Sequence, residues 1–179
     1  MEGTTLISET PRLQLRLAES ADAAFIYRLL NEPSWLENIG DRGVYSTADA
    51  ARYIRDRMQD PHRVFGYGMC VVQRKEDGLP LGLCGLVKRE FLTHPDLGFA
   101  LLPEFTGQGY AAEAARSVIA AAASRWRIAQ LYAITNLGNH GAVRLLERLG
   151  FEREGSCALP QGGEVELYSR PITSTRVQG

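Results

Sequence analysis

Hydrophobic and polar positions alternate first at "RLQLRL", where Leu13, Leu15 and Leu17 are separated by polar partners, the period-two pattern of a half-buried strand. The period then lengthens. Ser20 is placed to cap a helix whose apolar face is Ile26, Leu29 and Leu30. "NEPSWLENIGDRGVYS" shows no clear period, holds Pro, Gly, Asn and Asp, and reads as a long connection. Thr47 is expected to cap a second helix carrying Ala51, Ile54 and Met58 on one side. "GYGMCVVQR" and "PLGLCGLVK" read as strands joined by a turn at Asp77-Gly78 that Pro80 ends, and "DLGFALL" as a third short strand.

A glycine turn follows, "PEFTGQGY", and then a helix in which eight of the fourteen residues from Tyr110 to Ala123 are alanine. "QLYAIT" reads as a strand and "NHGAVRLLERLG" as an amphipathic helix, with Ala142, Leu145, Leu146 and Leu149 at helical spacing and Gly150 as its cap. "FEREGSC" and "EVELYSR" are final strands around the turn material "QGG", and the polar tail after Pro171 is expected to fray. Strands in succession, followed by alternating helix and strand, predict one mixed α/β (α+β) layered domain.

Composition narrows the function. The 179 residues are 45% hydrophobic and 23% charged with a formal net charge of −1, which argues for one globular domain and against a basic nucleic-acid binder. The start, "MEGTTLISET", has neither a basic cluster nor an apolar stretch, and the longest apolar run is "VIAAAA", so no secretory signal and no membrane span are expected. Cys70, Cys84 and Cys157 are odd in number and widely spaced, which argues against a disulfide framework or a zinc site; reduced packing thiols and a cytoplasmic location are expected.

The candidate chemistry lies in the glycine turn. Side-chain-poor backbone ahead of a strong helix former lets main-chain N–H groups and the positive helix end converge on an anion. Gly107-Gln108-Gly109-Tyr110-Ala111-Ala112 matches the dinucleotide pattern G-x-G-x-x-A. However, four residues, Pro103 to Thr106, separate it from its strand, and no Asp or Glu follows in "QLYAITN" to hold a ribose. A glycine loop that merely starts a helix is the plainer alternative.

Three blocks in order decide between these readings: "ETPRLQLR", "DLGFALLPEFTGQGYAAEA" and "ITNLGNHGAVRLLERLGF". Together they resemble the GNAT N-acetyltransferase superfamily in its RimJ/RimL-like branch, from about Glu9 to Phe151. The match is imperfect, because Thr106 stands where the family's acetyl-CoA motif has Gln or Arg, although Gly109 and Ala111 fit the rest.

The resemblance implies a mostly antiparallel central sheet with helices on both faces. A splayed parallel pair, "DLGFALL" and "QLYAIT", would form the acetyl-CoA cleft. It implies that acetyl-CoA lies along Phe99, Ala100 and Leu101, with its pyrophosphate on Gly107, Gln108, Gly109, Tyr110, Ala111 and Ala112 and its pantetheine arm on Asn139. Asn139 is equally well placed as a helix cap. Arg144 could reach CoA phosphates, but on such a helix it is at least as well explained as a solvated side chain.

The implied reaction is attack of a primary amine, either a protein N-terminus or a small molecule, on the thioester, with no metal. Asp96 is the candidate base and is expected at the mouth of the cleft, with His94 and Glu90 as alternatives. The family's usual acids are absent: Leu146 and Ala142 occupy the tyrosine and serine positions. That leaves a non-catalytic acetyl-CoA-binding or sensing module as the competing class. On the acceptor side, Glu32, Glu37 and Asp41 outnumber Arg42, and Trp35 and Tyr45 add aromatic faces that suit a cationic amine. Trp35 and Glu37 are the candidate acceptor residues. Neither nucleic acid nor membrane is an expected partner, and a homodimer is left open.

Overall fold

The computed structural model describes residues 3–172, so the tail beyond Ile172, expected to fray, lies outside the described residues. Eight strands form one sheet in the order β1-β2-β3-β4-β5-β6-β8-β7. They are β1 (Leu6–Glu9), β2 (Leu13–Arg16), β3 (Met69–Arg74), β4 (Pro80–Val87), β5 (Asp96–Leu101), β6 (Gln130–Thr135), β7 (Glu152–Ala158) and β8 (Glu164–Pro171). Every neighbouring pair is antiparallel except β5 and β6. The short strand β1 precedes the expected "RLQLRL" strand and was not visible as a separate period. It is a bulged edge that turns into β2 within three residues.

Helices α1 (Ala23–Leu30), α2 (Pro33–Asn38) and α3 (Thr47–Tyr53) cover one face of the sheet, and α5 (Tyr110–Ser124) and α6 (His140–Arg148) the other, while α4 (Asp60–Phe65) buries no residue and meets β3 through His62, whose Nε2 lies 3.0 Å from the Met69 carbonyl oxygen. Two hydrophobic layers result. Ile26, Leu29, Leu30, Ile54 and Met58 pack against Val71 and Leu83 on the first face. Ala114, Ala115, Val118, Ala122 and Leu146 pack against Leu13, Leu15, Leu131 and Ala133 on the second. β3 sends successive side chains to the two layers, Cys70 and Val72 to the second and Met69 and Val71 to the first, which is why both faces must be covered there.

Three local expectations are corrected. Helix α1 is entered through a 3-10 turn capped by Glu19, whose N–H donates to Asp22 (2.8 Å), so Ser20 is not the cap. The Asp22 carboxylate also takes two bonds from Arg16, each 2.8 Å. Ser46 rather than Thr47 caps α3, accepting from the Asp49 N–H at 3.0 Å. The aperiodic segment contains a helix after all: Pro33 starts α2, and only Trp35 is buried there, so a six-residue helix with one inward residue leaves no period to read. Helix α3 continues into α4 through a wider π-type turn over Ile54–Gln59. Pro61 lies just beyond, and its missing N–H leaves a normal α-helical ladder incomplete there.

β4 holds β5 unusually close. A Cβ on Gly82 would lie 2.1 Å from the Ala100 carbonyl oxygen and 2.7 Å from the Leu101 Cα. Only glycine permits that approach, so the strand bordering the candidate cleft is seated against bare backbone.

Candidate functional site

β5 and β6 start together and then part. Asp96 pairs with Tyr132, the Tyr132 N–H donates to the Pro95 carbonyl at 2.9 Å, and no further register joins the two strands. β5 runs on to Leu101 paired only with β4, and β6 to Thr135 paired only with β8. The result is a V between two parallel strands. Phe99, Ala100 and Leu101 lie half-buried along its diverging arm, Phe99 and Leu101 against the layer of α5 and α6 and Ala100 against that of α1 and α3.

At the open end stands the glycine turn. Gly107 (φ +74°) and Gly109 (φ +83°) both adopt the left-handed region, and Gly109 is the residue before the first turn of α5. None of the hydrogen bonds among the described residues uses the backbone N–H groups of Gly107, Gln108, Gly109, Tyr110, Ala111 or Ala112. Six donors and the positive end of a 15-residue helix therefore meet in one place, an arrangement suited to a pyrophosphate. The Tyr110 ring packs into the core and leaves its main chain for a ligand.

The turn is fixed from outside by residues that the sequence did not single out. Arg12 donates to Glu113 (2.7 Å) and to the Gln108 carbonyl (3.0 Å), and its guanidinium lies 4.4 Å from the centre of the Tyr110 ring. Glu113 also accepts from Thr10 Oγ1 (2.6 Å) and the Arg12 N–H (3.0 Å). Burial works against the Glu113 charge, but the bonds from Thr10 and Arg12 outweigh it and hold the carboxyl below its ordinary range. No sequence signal links residues a hundred positions apart.

Asn139 caps α6, its side-chain oxygen accepting from the Ala142 N–H at 3.2 Å, and it is half-buried with its amide N–H₂ still available. Near it at the end of β6, Thr135 is 7% exposed and its hydroxyl has no partner among the described residues. A buried orphan hydroxyl is unfavourable, and at the open arm of the V it is a group that a polar ligand would satisfy. Leu146 is fully buried in the core, so its position offers no acid.

Asp96 is not at the mouth of the cleft. It sits at the closed apex, 2% exposed, where β5 and β6 still pair. Burial pushes its carboxyl up, against the opposing pull of Arg89, whose Nε donates to it at 2.8 Å. Around this apex lie the alternatives to Asp96 and their neighbours: the His94 ring packs 5.7 Å from that of Tyr132, and the Tyr132 hydroxyl is 3.3 Å from Thr93 Oγ1. Glu90 is on the same loop with no bond among the described residues.

On the acceptor side the two candidates separate. Trp35 is 6% exposed in the layer formed by α1 and α3, which corrects the expectation that its face would meet a cation. Its hydrophobic area wins over an exposed role. Glu37 is exposed, and its main-chain carbonyl accepts from Asn136 Nδ2 at 3.3 Å, which ties α2 to the loop that follows β6. Glu37 therefore borders the open end of the V. Tyr45 is exposed and donates to Asp41 at 2.6 Å.

Among the described residues no helix is long and apolar enough to cross a membrane, and no group of three or more His, Cys, Asp or Glu side chains is arranged to hold a metal.

Known proteins share this construction. The family described as Acetyltransferase (GNAT) domain matches residues 12–152. The protein YkkB of Bacillus subtilis (strain 168) is 27% identical over 147 residues, covering 79% of this chain and 82% of its own. The acetyltransferase from Agrobacterium tumefaciens str. C58 superposes with a TM-score of 0.78 at 23% identity, over 93% of this chain and 95% of its own. RimL, a ribosomal L7/L12 alpha-N-protein acetyltransferase solved with coenzyme A, superposes with a TM-score of 0.80 at 20% identity, over 93% and 98%. With the parallel V, the unbonded glycine turn and a family match spanning most of its length, the chain belongs to the GNAT acetyltransferase family.

Proposed function

We propose that this protein transfers an acetyl group from acetyl-CoA to a primary amine. The observation that carries the reading is the set of six unbonded N–H groups, Gly107 to Ala112, at the open end of the splayed pair. Bound there, acetyl-CoA supplies a thioester carbonyl open to nucleophilic attack. The turn holds its pyrophosphate, the free edge of Phe99 to Leu101 pairs with the amide-rich arm as a further strand would, and the Asn139 amide and Thr135 hydroxyl bond its polar groups.

An amine with a pKa near ~10 is mostly protonated at neutral pH and must lose a proton before it attacks. Asp96 takes it. Burial raises its affinity for a proton above that of an ordinary carboxylate, and the same burial means that the proton arrives through a water molecule rather than by direct contact. Arg89 holds the carboxylate in place. The thiolate is a tolerable leaving group and takes the amine's remaining proton, because Leu146 and Ala142 carry none. The acceptor enters over α2 beside Glu37, whose charge favours an ammonium. In RimL the acceptor is a ribosomal protein N-terminus; here a protein N-terminus and a small amine both fit that rim.

The absence of the usual acids favours one second reading, an acetyl-CoA-binding module without turnover. The test is direct. Acetyl-CoA should raise the melting temperature and NADH should not, and acetyl transfer to a panel of amines should then be measured. Stabilisation by NADH alone would overturn the cofactor assignment. Stabilisation by acetyl-CoA without transfer to any amine would select the second reading.

A further inference from the structure

A second hollow lies apart from the V. Along the outer side of α5, between that helix and the edge strand β1, runs a groove of ≈ 1130 Å³. It continues into a hollow of ≈ 300 Å³ between α5 and the end of α6. Its floor is alanine, Ala112, Ala120 and Ala121, and its walls carry five arginines against two glutamates in a chain whose net charge is −1.

Both glutamates are already engaged, Glu9 by Lys75 and Glu113 by Arg12. Arg125 donates to the Ile7 carbonyl and Arg170 to the Leu149 carbonyl. Arg116 and Arg148 are exposed and make no hydrogen bond or ion pair among the described residues. Exposed cations with no structural task facing one groove call for a negatively charged occupant.

We propose that this groove is a docking site for an extended acidic peptide segment of a partner protein. α5 is 15 residues long, so the groove runs about 22 Å at about 1.5 Å per residue. That length matches six or seven residues of extended chain at about 3.3 Å each. The groove is open along this course, whereas a small molecule needs enclosure. One wall is the outer edge of β1, where the main-chain groups other than the Ile7 carbonyl held by Arg125 complement a peptide backbone and have no counterpart in a nucleic acid. The chain's net charge of −1 also provides none of the overall attraction on which nucleic-acid binding relies. Arg125 and Arg148 close the C-terminal ends of α5 and α6, while the glycine turn opens the N-terminal end of α5. The groove therefore reaches Gly109 at that end, and a peptide filling its whole length would abut the outer side of the turn.

The test uses the full chain and a fluorescein-labelled peptide of ten glutamates, read by fluorescence anisotropy at low salt. Saturable binding is expected, weakened at least tenfold in the double variant Arg116→Glu, Arg148→Glu and weakened again by methylating alternate peptide amides. Stabilisation by acetyl-CoA should be unchanged in that variant, which also reports that it folds. Absence of saturable binding, or equal binding by the variant, would overturn the proposal. Tighter binding of a single-stranded RNA of equal charge would overturn it in favour of nucleic acid. A concentration-dependent dimer in sedimentation that the charge reversal dissolves would overturn it in favour of a second copy of this chain.

Discussion

The two ends of the V are built on opposite principles. At the open end, the glycine turn keeps six main-chain donors free, yet the turn itself is pinned by Arg12, Glu113 and Thr10. At the closed apex the carboxylate is engaged: Asp96 is buried between paired strands and held by Arg89. A binding site needs donors without partners on a rigid frame, because donors already bonded to the protein gain little from a ligand. A base needs the reverse, a carboxylate so enclosed that its affinity for a proton rises. The fold separates the two by the length of one short strand.

The comparison breaks hardest at a residue belonging to neither end. Trp35→Ala removes a large buried side chain and should destabilise the protein by about 3–5 kcal/mol in denaturant titration. Any rise in acceptor KM without that loss would return Trp35 to the acceptor pocket.

At the open end, Gly109→Val puts a branched side chain where φ is +83° and where even a Cβ lies 3.3 Å from the Arg12 guanidinium. That backbone strain is worth about 1–3 kcal/mol. The variant should lose the thermal stabilisation by acetyl-CoA, worth about 2.7 kcal/mol at a hundredfold excess over Kd. A variant still stabilised to the wild-type extent would move the pyrophosphate elsewhere.

At the apex, Asp96→Asn should lower kcat about 10²–10⁴-fold with acetyl-CoA affinity unchanged. Its stability should respond in the opposite sense. Because the folded-state pKa of Asp96 is raised above the unfolded value near ~3.9, the folded protein holds this proton more tightly. Stability contributed by the group is therefore present below that unfolded value and declines as pH rises through the folded one. The asparagine variant should lack that decline, so its melting temperature at neutral pH should be no lower than the wild type's. A marked drop would mean that the ion pair with Arg89 outweighs burial, and that the carboxylate is structural.

The smallest effects concern the supports. Glu113→Gln should weaken acetyl-CoA binding a few-fold by loosening the turn, without changing kcat, measured by titration and steady-state kinetics. Glu37→Gln should raise acceptor KM a few-fold and leave acetyl-CoA binding untouched. Unchanged acceptor kinetics would take the acceptor away from α2.

Much of this was legible in the residues because short-range chemistry dictates it. The period-two run of β2, the helical spacing of Leu145, Leu146 and Leu149, the Asp77-Gly78 turn and the alanine-rich α5 each follow from local preference and one buried face. Gly107 and Gly109 announced their left-handed backbone by being glycines. What the residues concealed were elements too short to show a period, β1 and α2, and caps displaced by one position.

The order of the eight strands, the single point where β5 meets β6, the burial of Asp96 with Arg89, and the latch from Arg12 to Glu113 were decided by tertiary structure alone. The physical reason is the same in each case. Secondary structure depends on neighbours a few residues away, whereas burial, strand divergence and the pairing of charges a hundred residues apart exist only once the two hydrophobic layers have closed on the sheet.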